Sequence, residues 1–154
     1  MIVHIFGPCN SGKTALRNAL KERHPDYNSW CIDDFRKAYG DGTMSGELDA
    51  QEEFIRAVMV TPSAFSECSG TGRCASVSVQ RRRNDQCIVI LDTPADVCIS
   101  RMRPGKYDGI PFPFENSDED IIRGIRKGLD SGVFDILHKK VPILRLSDDL
   151  SMHE

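Results

Sequence analysis

The sequence predicts an α/β fold in which helices cover both faces of a parallel β-sheet. Short apolar runs alternate with segments of helical periodicity along the 154 residues, which is the pattern of repeated strand–helix units. The run over residues 87–92, Cys-Ile-Val-Ile-Leu-Asp, is typical of a strand buried on both faces. A composition of 40% hydrophobic and 28% charged residues is ordinary for one soluble domain with a single core.

Five strands are predicted along the chain. Their expected ranges are residues 2–6, 28–32, 64–68, 87–92 and 142–146. The second ends at the pair Asp33-Asp34, and the third has the weakest strand pattern. Each strand is separated from the next by a loop and a helical segment, which favours parallel pairing.

Helices are predicted between the strands. The first follows the loop after strand one and ends at about residue 23. The other four have expected ranges of 47–58, 73–82, 94 to about 103, and 117 to about 129. Apolar residues at helical spacing support the second of these: Leu48, Phe54, Ile55 and Val58. The fourth begins at Pro94, where the first turn tolerates proline, and the fifth begins at Ser117, a residue type that caps helices.

A phosphate-binding loop lies between the first strand and the first helix. Residues 7–14 have the sequence Gly-Pro-Cys-Asn-Ser-Gly-Lys-Thr, which is a complete G-x-x-x-x-G-K-[ST] motif in its required strand–loop–helix context. The glycines let backbone N–H groups face an anion, and the helix start adds partial positive charge. The residues predicted to hold a nucleotide are Gly7, Cys9, Asn10, Ser11, Gly12, Lys13 and Thr14.

Within this loop, Lys13 is predicted to reach the β- and γ-phosphates, and the Thr14 hydroxyl to bind Mg²⁺. The alternative is a glycine-rich turn that carries a surface lysine. The expected cofactors are therefore ATP and Mg²⁺. No N-K-x-D segment of the GTPase type is present, and the one Asp-Asp pair after a strand follows the loop too closely for a motor ATPase. These features and the chain length favour a small kinase.

The segment Asp33-Asp34-Phe35-Arg36 follows the second predicted strand. A carboxylate there can accept the proton of an attacking hydroxyl, and Arg36 can bind an acceptor phosphate through its planar fork. The alternative is an aspartate that caps a helix beside a surface arginine. We expect Asp33 to be the base and Arg36 to be catalytic.

A lid is predicted over residues 104–116, which contain glycines, prolines and three aromatic residues. Long connections of this kind in a compact domain are usually functional. Arg101 and Arg103 come directly before it and are predicted to stabilise charge on the transferring phosphoryl group. The alternative is that both arginines cap the end of a helix.

Three residues around the end of the third strand are candidates for the acceptor pocket or for support of the site. Glu67 could hold Mg²⁺ through water or contact the acceptor, and Thr71 and Arg73 would line the acceptor pocket beyond it. A loop glutamate without a role is the alternative for Glu67.

Other sequence features exclude several classes of protein. Six scattered cysteines without metal-ligand spacing indicate reduced thiols and no structural metal. No apolar run approaches the ~20 residues of a membrane span, and no secretory signal is visible, so we expect a cytoplasmic protein. The net charge of −3 argues against broad affinity for nucleic acid, although a local basic groove is compatible with it.

Taken in order, these motifs resemble the kinase domain of polynucleotide kinases, relatives of adenylate- and shikimate-kinase-type enzymes. The resemblance covers residues 2 to about 103, and it implies a three-layer fold with a five-stranded parallel sheet in the order 2-3-1-4-5 and a lid. In that family the first aspartate of a D-D-[YF]-R segment is the base, which corresponds to Asp33. The sequence also resembles bacteriophage kinases that phosphorylate 5-hydroxymethyluracil in DNA. The resemblance therefore implies a DNA acceptor, and the host cytoplasm if the protein is phage-encoded.

Two other functions stay open at this point. One is a kinase for a nucleoside monophosphate or another small metabolite, which a closed acceptor cavity would favour over an open basic groove. The other is a nucleotide-dependent binding module with little catalysis. The sequence does not decide the acceptor, the choice of ATP over GTP, or the oligomeric state.

Overall fold

The computed structural model describes residues 1–82, 84–114 and 116–147 of the chain. The strands are β1 Ile2–Phe6, β2 Asn28–Cys31, β3 Ala64–Cys68, β4 Gln86–Leu91 and β5 Ile143–Leu146. The helices are α1 Lys13–Arg23, α2 Ile32–Tyr39, α3 Met44–Val60, α4 Arg73–Arg82, α5 Ala95–Ser100, α6 Asp118–Asp130 and α7 Gly132–Leu137. Glu115 of the predicted lid and residues 148–154 lie outside the described residues.

The five strands form one sheet in the order β2-β3-β1-β4-β5, and all four pairings are parallel. The predicted fold class and strand order are confirmed. In the register, Phe6 at the end of β1 lies beside Cys68, and Cys31 at the end of β2 lies beside Glu67. The segments that follow β1, β2 and β3 therefore emerge at the same edge of the sheet, where ligands bind in open α/β folds.

The core lies between this sheet and its helices. Fully buried apolar side chains come from the sheet and from α3 and α6, among them Ile5, Phe6, Phe54, Ile88 and Leu129. Burial on both faces explains why β1 and β4 are almost continuously apolar. In α3, three of the four residues that were predicted to face the core do so: Phe54, Ile55 and Val58. The exception is Leu48, which is 43% exposed.

Several element boundaries differ from the sequence prediction. The chain does not stay extended to Ile32: β2 ends at Cys31 and α2 begins immediately, so Asp33 and Asp34 lie in the first helical turn. Carboxylates are favourable there because the helix dipole is positive at its N-terminus. Helix α3 begins at Met44, before the predicted start, because the Thr43 hydroxyl accepts a hydrogen bond from the Gly46 N–H at 3.1 Å.

Two further helical segments depart from the prediction. Helix α5 is shorter than expected, since its last residue is Ser100 and Arg101 occupies the C-cap. Helix α7 was not predicted, because it has only 6 residues and follows α6 after one intervening residue. Across the part of the chain that the structure describes, every helix is too short or too polar to cross a bilayer.

The loop between β3 and α4 provides a test of backbone constraint. Gly70 has φ +94°, and a Cβ there would lie 2.6 Å from the Phe6 side chain, whereas a Cβ at Gly72 would meet nothing within 4 Å. We expect Gly70→Ala to lower the free energy of unfolding by about 2–4 kcal/mol, from backbone strain plus overpacking. Gly72→Ala is the matched control, and urea denaturation measures both; equal stability of the two variants would contradict the prediction.

A second prediction concerns His4 on β1. Burial lowers the pKa of His4 from 6.5 to about 4, so between these values the unfolded chain binds a proton that the folded chain excludes. Stability is therefore expected to be unaffected above pH 6.5 and to fall by about 3 kcal/mol as the pH drops to 4. Urea denaturation at several pH values should show a shallower acid loss for His4→Gln than for the unaltered protein, and parallel curves would contradict this.

Candidate active site

The phosphate-binding loop connects β1 to α1 through a left-handed turn of the backbone. Asn10 and Gly12 both have positive φ, at 63° and 100°, which asparagine and glycine tolerate best. The Lys13 ammonium donates to the carbonyls of Gly7 at 2.6 Å and Pro8 at 2.9 Å. The lysine thus lies along the loop that it is predicted to serve.

The loop is held in place from the β4 side of the sheet. The Thr93 hydroxyl donates to the Ser11 carbonyl at 2.9 Å, and the Asn10 amide donates to the Cys98 carbonyl at 3.2 Å. Arg101 donates to the Asn10 carbonyl at 3.2 Å. Of the two arginines predicted before the lid, Arg101 therefore lies at the phosphate loop.

Glu67 lies at the end of β3, directly beside the start of α1. Its Oε1 accepts a hydrogen bond from the Thr14 hydroxyl at 2.8 Å, and its Oε2 forms an ion pair with Arg17 at 3.2 Å. Both side chains are largely buried, with 7% of Glu67 and 12% of Arg17 exposed. A hydroxyl and a carboxylate are oxygen ligands of the type that Mg²⁺ prefers, so the pair Thr14–Glu67 fits a magnesium site.

Asp33 is held by a buried arginine rather than standing alone. Arg36, one turn further along α2, donates to Asp33 Oδ1 at 2.9 Å. The same guanidinium donates to both oxygens of Glu47, from Nε at 2.9 Å and from Nη2 at 2.7 Å. Gln51 donates to Glu47 Oε1 at 2.9 Å from the next turn of α3.

The charges of this cluster stabilise one another. Burial alone lowers the pKa of the Arg36 guanidinium, but the hydrogen bonds and charges of Glu47 and Asp33 outweigh it and raise that pKa above its usual value. Arg36 therefore stays protonated. Because Arg36 already contacts two carboxylates, it is less available to an acceptor phosphate than the sequence prediction assumes.

The lid segment packs over this cluster. The Phe112 ring lies 4.5 Å from the Arg36 guanidinium carbon, in cation–π geometry. Pro111 packs beside Gly40 at the end of α2, where an added Cβ would lie 3.2 Å from it. Burial and the neighbouring Cys9 thiol raise the pKa of the Tyr107 phenol. The lid thus reaches both α2 and the phosphate loop.

One cavity of about 950 Å³ connects these parts. Among the predicted site residues, those that line it are Cys9, Asn10, Gly12, Lys13, Thr14, Asp33, Arg36, Glu67, Thr71 and Arg101. Gly7 and Ser11 are buried within the loop behind it. The structure therefore brings most of the predicted site into one space.

Two other predicted residues, Arg103 and Arg73, also lie outside the lining of that cavity. Arg103 lines a separate cavity of about 420 Å³ beside the lid. Arg73 forms an ion pair with Glu52 on α3, and 45% of its side chain is exposed. The role proposed for each from the sequence would require a rearrangement of its side chain.

Three cavity-lining residues outside the predicted site form the ion pairs and hydrogen bonds described above: Arg17, Glu47 and Gln51. Arg17 carried a usable signal, because it follows Lys13 by four residues on the same helix and so shares its face. Glu47 and Gln51 carried none, since charged and polar residues at this spacing are ordinary on an exposed helix. Only the packing of α3 against α2 places them in the site.

No protein-family model matches the sequence, and no curated protein sequence matches it. Solved structures do match the fold. Shikimate kinase from Acinetobacter baumannii in complex with shikimate has 17% identity and a TM-score of 0.64, covering 99% of this chain and 89% of that one. A gluconokinase from Sinorhizobium meliloti 1021 has 13% identity and a TM-score of 0.61, covering 94% and 81%.

A sugar kinase from Janibacter sp. HTCC2649 has 16% identity and a TM-score of 0.62, covering 95% of this chain and 84% of that one. The strand order, the position of the phosphate loop and these likenesses together show that the chain has the fold of small P-loop kinases. The polynucleotide kinase resemblance finds no support among these structures.

The Arg36–Glu47 pair makes a prediction about stability. Removing one partner of a buried ion pair leaves an uncompensated charge, so Arg36→Ala is expected to lower the free energy of unfolding by about 3–5 kcal/mol. Arg56→Ala is the matched control on α3, because the Arg56–Glu53 pair is exposed and such pairs contribute about 0–1 kcal/mol. Urea denaturation measures both, and a loss for Arg36→Ala no larger than that of the control would contradict the burial argument.

Proposed function

We propose that this protein is an ATP-dependent kinase that transfers the γ-phosphoryl group to a hydroxyl of a small molecule. The proposal rests on one cavity that holds the groups needed at both ends of the reaction. A phosphate-binding loop with Thr14 and Glu67 can bind the nucleotide, and the carboxylate of Asp33 can accept a proton from the acceptor. Residues 1–154 are proposed to form one kinase domain, with residues 104–116 as its lid.

At the nucleotide end, Lys13 and the loop amides bind the β- and γ-phosphates. Thr14 and Glu67 would hold Mg²⁺, which neutralises charge on the triphosphate when it is bound. Arg17 keeps the Glu67 carboxylate oriented through their ion pair. Arg101, which contacts the phosphate loop, is placed to stabilise charge on the transferring group.

At the acceptor end, Asp33 takes the proton of the attacking hydroxyl. The hydroxyl oxygen bonds to the γ-phosphorus as the bond from phosphorus to the β–γ bridging oxygen breaks, and ADP leaves. Arg36 holds Asp33 in position at 2.9 Å. The aromatic lid excludes water, which limits hydrolysis of ATP.

The charge of the cavity favours a small acceptor over a polynucleotide. Among the described lining residues there are six cations and five carboxylates: Lys13, Arg17, Arg36, Lys37, Arg101 and Lys106 against Asp33, Asp34, Glu47, Glu67 and Asp118. A site for a DNA backbone is expected to have a clear positive excess. The named kinases of similar fold act on shikimate, gluconate or a sugar, which supports the same choice.

Two substitutions test the proposal. We expect Lys13→Ala and Asp33→Asn each to lower the rate of transfer by at least about 100-fold, because one removes phosphate binding and the other the base. Asp33→Asn should bind ATP with nearly unchanged affinity. The measurement is transfer from γ-labelled ATP with Mg²⁺ to a panel of small hydroxyl compounds, nucleoside monophosphates, 5′-hydroxyl oligonucleotide and duplex DNA containing 5-hydroxymethyluracil.

Each outcome of this assay has a distinct meaning. Label in small molecules supports the proposal. Label confined to the DNA substrates would instead show that the acceptor is a polynucleotide. Tight ATP binding without transfer to any acceptor would indicate a nucleotide-dependent binding module. If Asp33→Asn keeps most of its rate, Glu67 becomes the better candidate for the base.

A further inference from the structure

The guanidinium at the acceptor end of the cavity is already engaged on several sides. Arg36 donates from Nε and Nη2 to Glu47 and from Nη1 to Asp33, and Phe112 covers one face at 4.5 Å. Glu47 is 2% exposed, so solvent does not compete for its oxygens. Three of the five N–H groups of Arg36 therefore already have carboxylate acceptors, and an anionic ligand would compete with Asp33 and Glu47 for the charge of the guanidinium.

The fixed charges of this cluster also oppose an anion. Asp33 and Glu47 carry two negative charges against the one positive charge of Arg36, so the cluster is net negative. Lys37 and Lys106 also line the cavity, but both are exposed and water screens their charges. An acceptor carboxylate or phosphate near Asp33 would therefore meet repulsion.

Gln51 adds an independent observation on the same wall of the cavity. Its Nε2 donates to Glu47 Oε1 at 2.9 Å, which fixes the amide with its oxygen turned the other way. That oxygen, Oε1, is buried and accepts no hydrogen bond from the described residues. A buried acceptor without a donor is costly, and a ligand that brings an O–H or N–H group into the cavity would satisfy it.

From these contacts we propose that the acceptor is an uncharged or cationic compound with several hydrogen-bond donors, such as a sugar, polyol or amino alcohol, and that Glu47 and Gln51 select it against carboxylates and phosphates. This inference rests on the proposed kinase function, and it separates this chain from the shikimate kinase and the gluconokinase of similar fold, whose named acceptors are carboxylates. Hydroxyl and ammonium groups can donate to Asp33 and to Gln51 Oε1, whereas carboxylates and phosphates at neutral pH act as acceptors there. The exposed aromatic lid residue Phe112 offers an apolar face for the ring or chain of such a compound.

The experiment uses acceptors that share a carbon skeleton and differ in charge. Glucose, glucosamine and gluconate form one set, and ribose with ribose 5-phosphate forms another. Transfer from γ-labelled ATP gives kcat/KM, and calorimetry in the presence of ADP gives binding. The uncharged or cationic members are expected to exceed their anionic counterparts by at least about tenfold in kcat/KM, or in affinity where transfer is absent.

Substitutions test whether Glu47 and Gln51 cause the preference for uncharged or cationic acceptors. Glu47→Gln removes one negative charge with little change of shape, and it should shift the preference by at least about tenfold toward the anionic member of each set. Glu53→Gln, on the same helix in an exposed ion pair, is the matched control and should leave the preference unchanged. Gln51→Met should lower kcat/KM for the uncharged acceptors by at least about tenfold while the KM for ATP stays within about twofold.

The outcomes separate this inference from the proposed function. Preference of the unaltered protein for gluconate or ribose 5-phosphate would overturn the inference and leave the kinase proposal intact. Failure of every uncharged and cationic acceptor both to bind and to react would also overturn it. Binding of the uncharged acceptors without any transfer would support the acceptor class and count against the kinase function. If Glu47→Gln does not fold, an unchanged acceptor profile of Gln51→Met would be sufficient to overturn the roles assigned here.

Discussion

The position of β1 between β3 and β4 is the constraint on which the site depends. Parallel pairing on both sides places the phosphate loop beside the end of β3, where Glu67 meets Thr14 at 2.8 Å. On the other side it places the loop beside Thr93, which holds the Ser11 carbonyl at 2.9 Å. A shift of register by one residue would turn Glu67 to the opposite face of the sheet. The sheet therefore brings the two proposed magnesium ligands, Thr14 and Glu67, together.

The second constraint is the packing of α2 against α3. It buries Glu47 against Arg36 and leaves Asp33 at the cavity, so one arginine both balances a buried carboxylate and orients the carboxylate proposed as the base. A buried ion pair is not in itself a strong source of stability, because both groups lose water. In this chain the pair bears on ligand binding instead. Because Glu47 balances the charge of Arg36, the arginine attracts an anionic ligand less strongly. This arrangement distinguishes the acceptor end from the cationic phosphate loop.

The lid links the two ends of the cavity. Phe112 lies over Arg36 and Pro111 lies beside the end of α2, while Tyr107 lies near Cys9 of the phosphate loop. The segment proposed as the lid therefore contacts both helix α2 and the phosphate loop.

The sequence by itself determined the fold class, the five strands in their order along the chain, and the phosphate loop, because buried parallel strands and the G-x-x-x-x-G-K-[ST] pattern depend on local residue order. It also predicted Asp33, Glu67 and Arg101 as residues of one site. It did not reveal α2 directly after β2, since a strand and a helix N-terminus both accept the run Ile32 to Asp34. Only the tertiary structure decided the partners of Arg36, the separation of Arg73 and Arg103 from the cavity, and the position of Glu47 in its wall. These depend on contacts between distant segments, which no local pattern encodes.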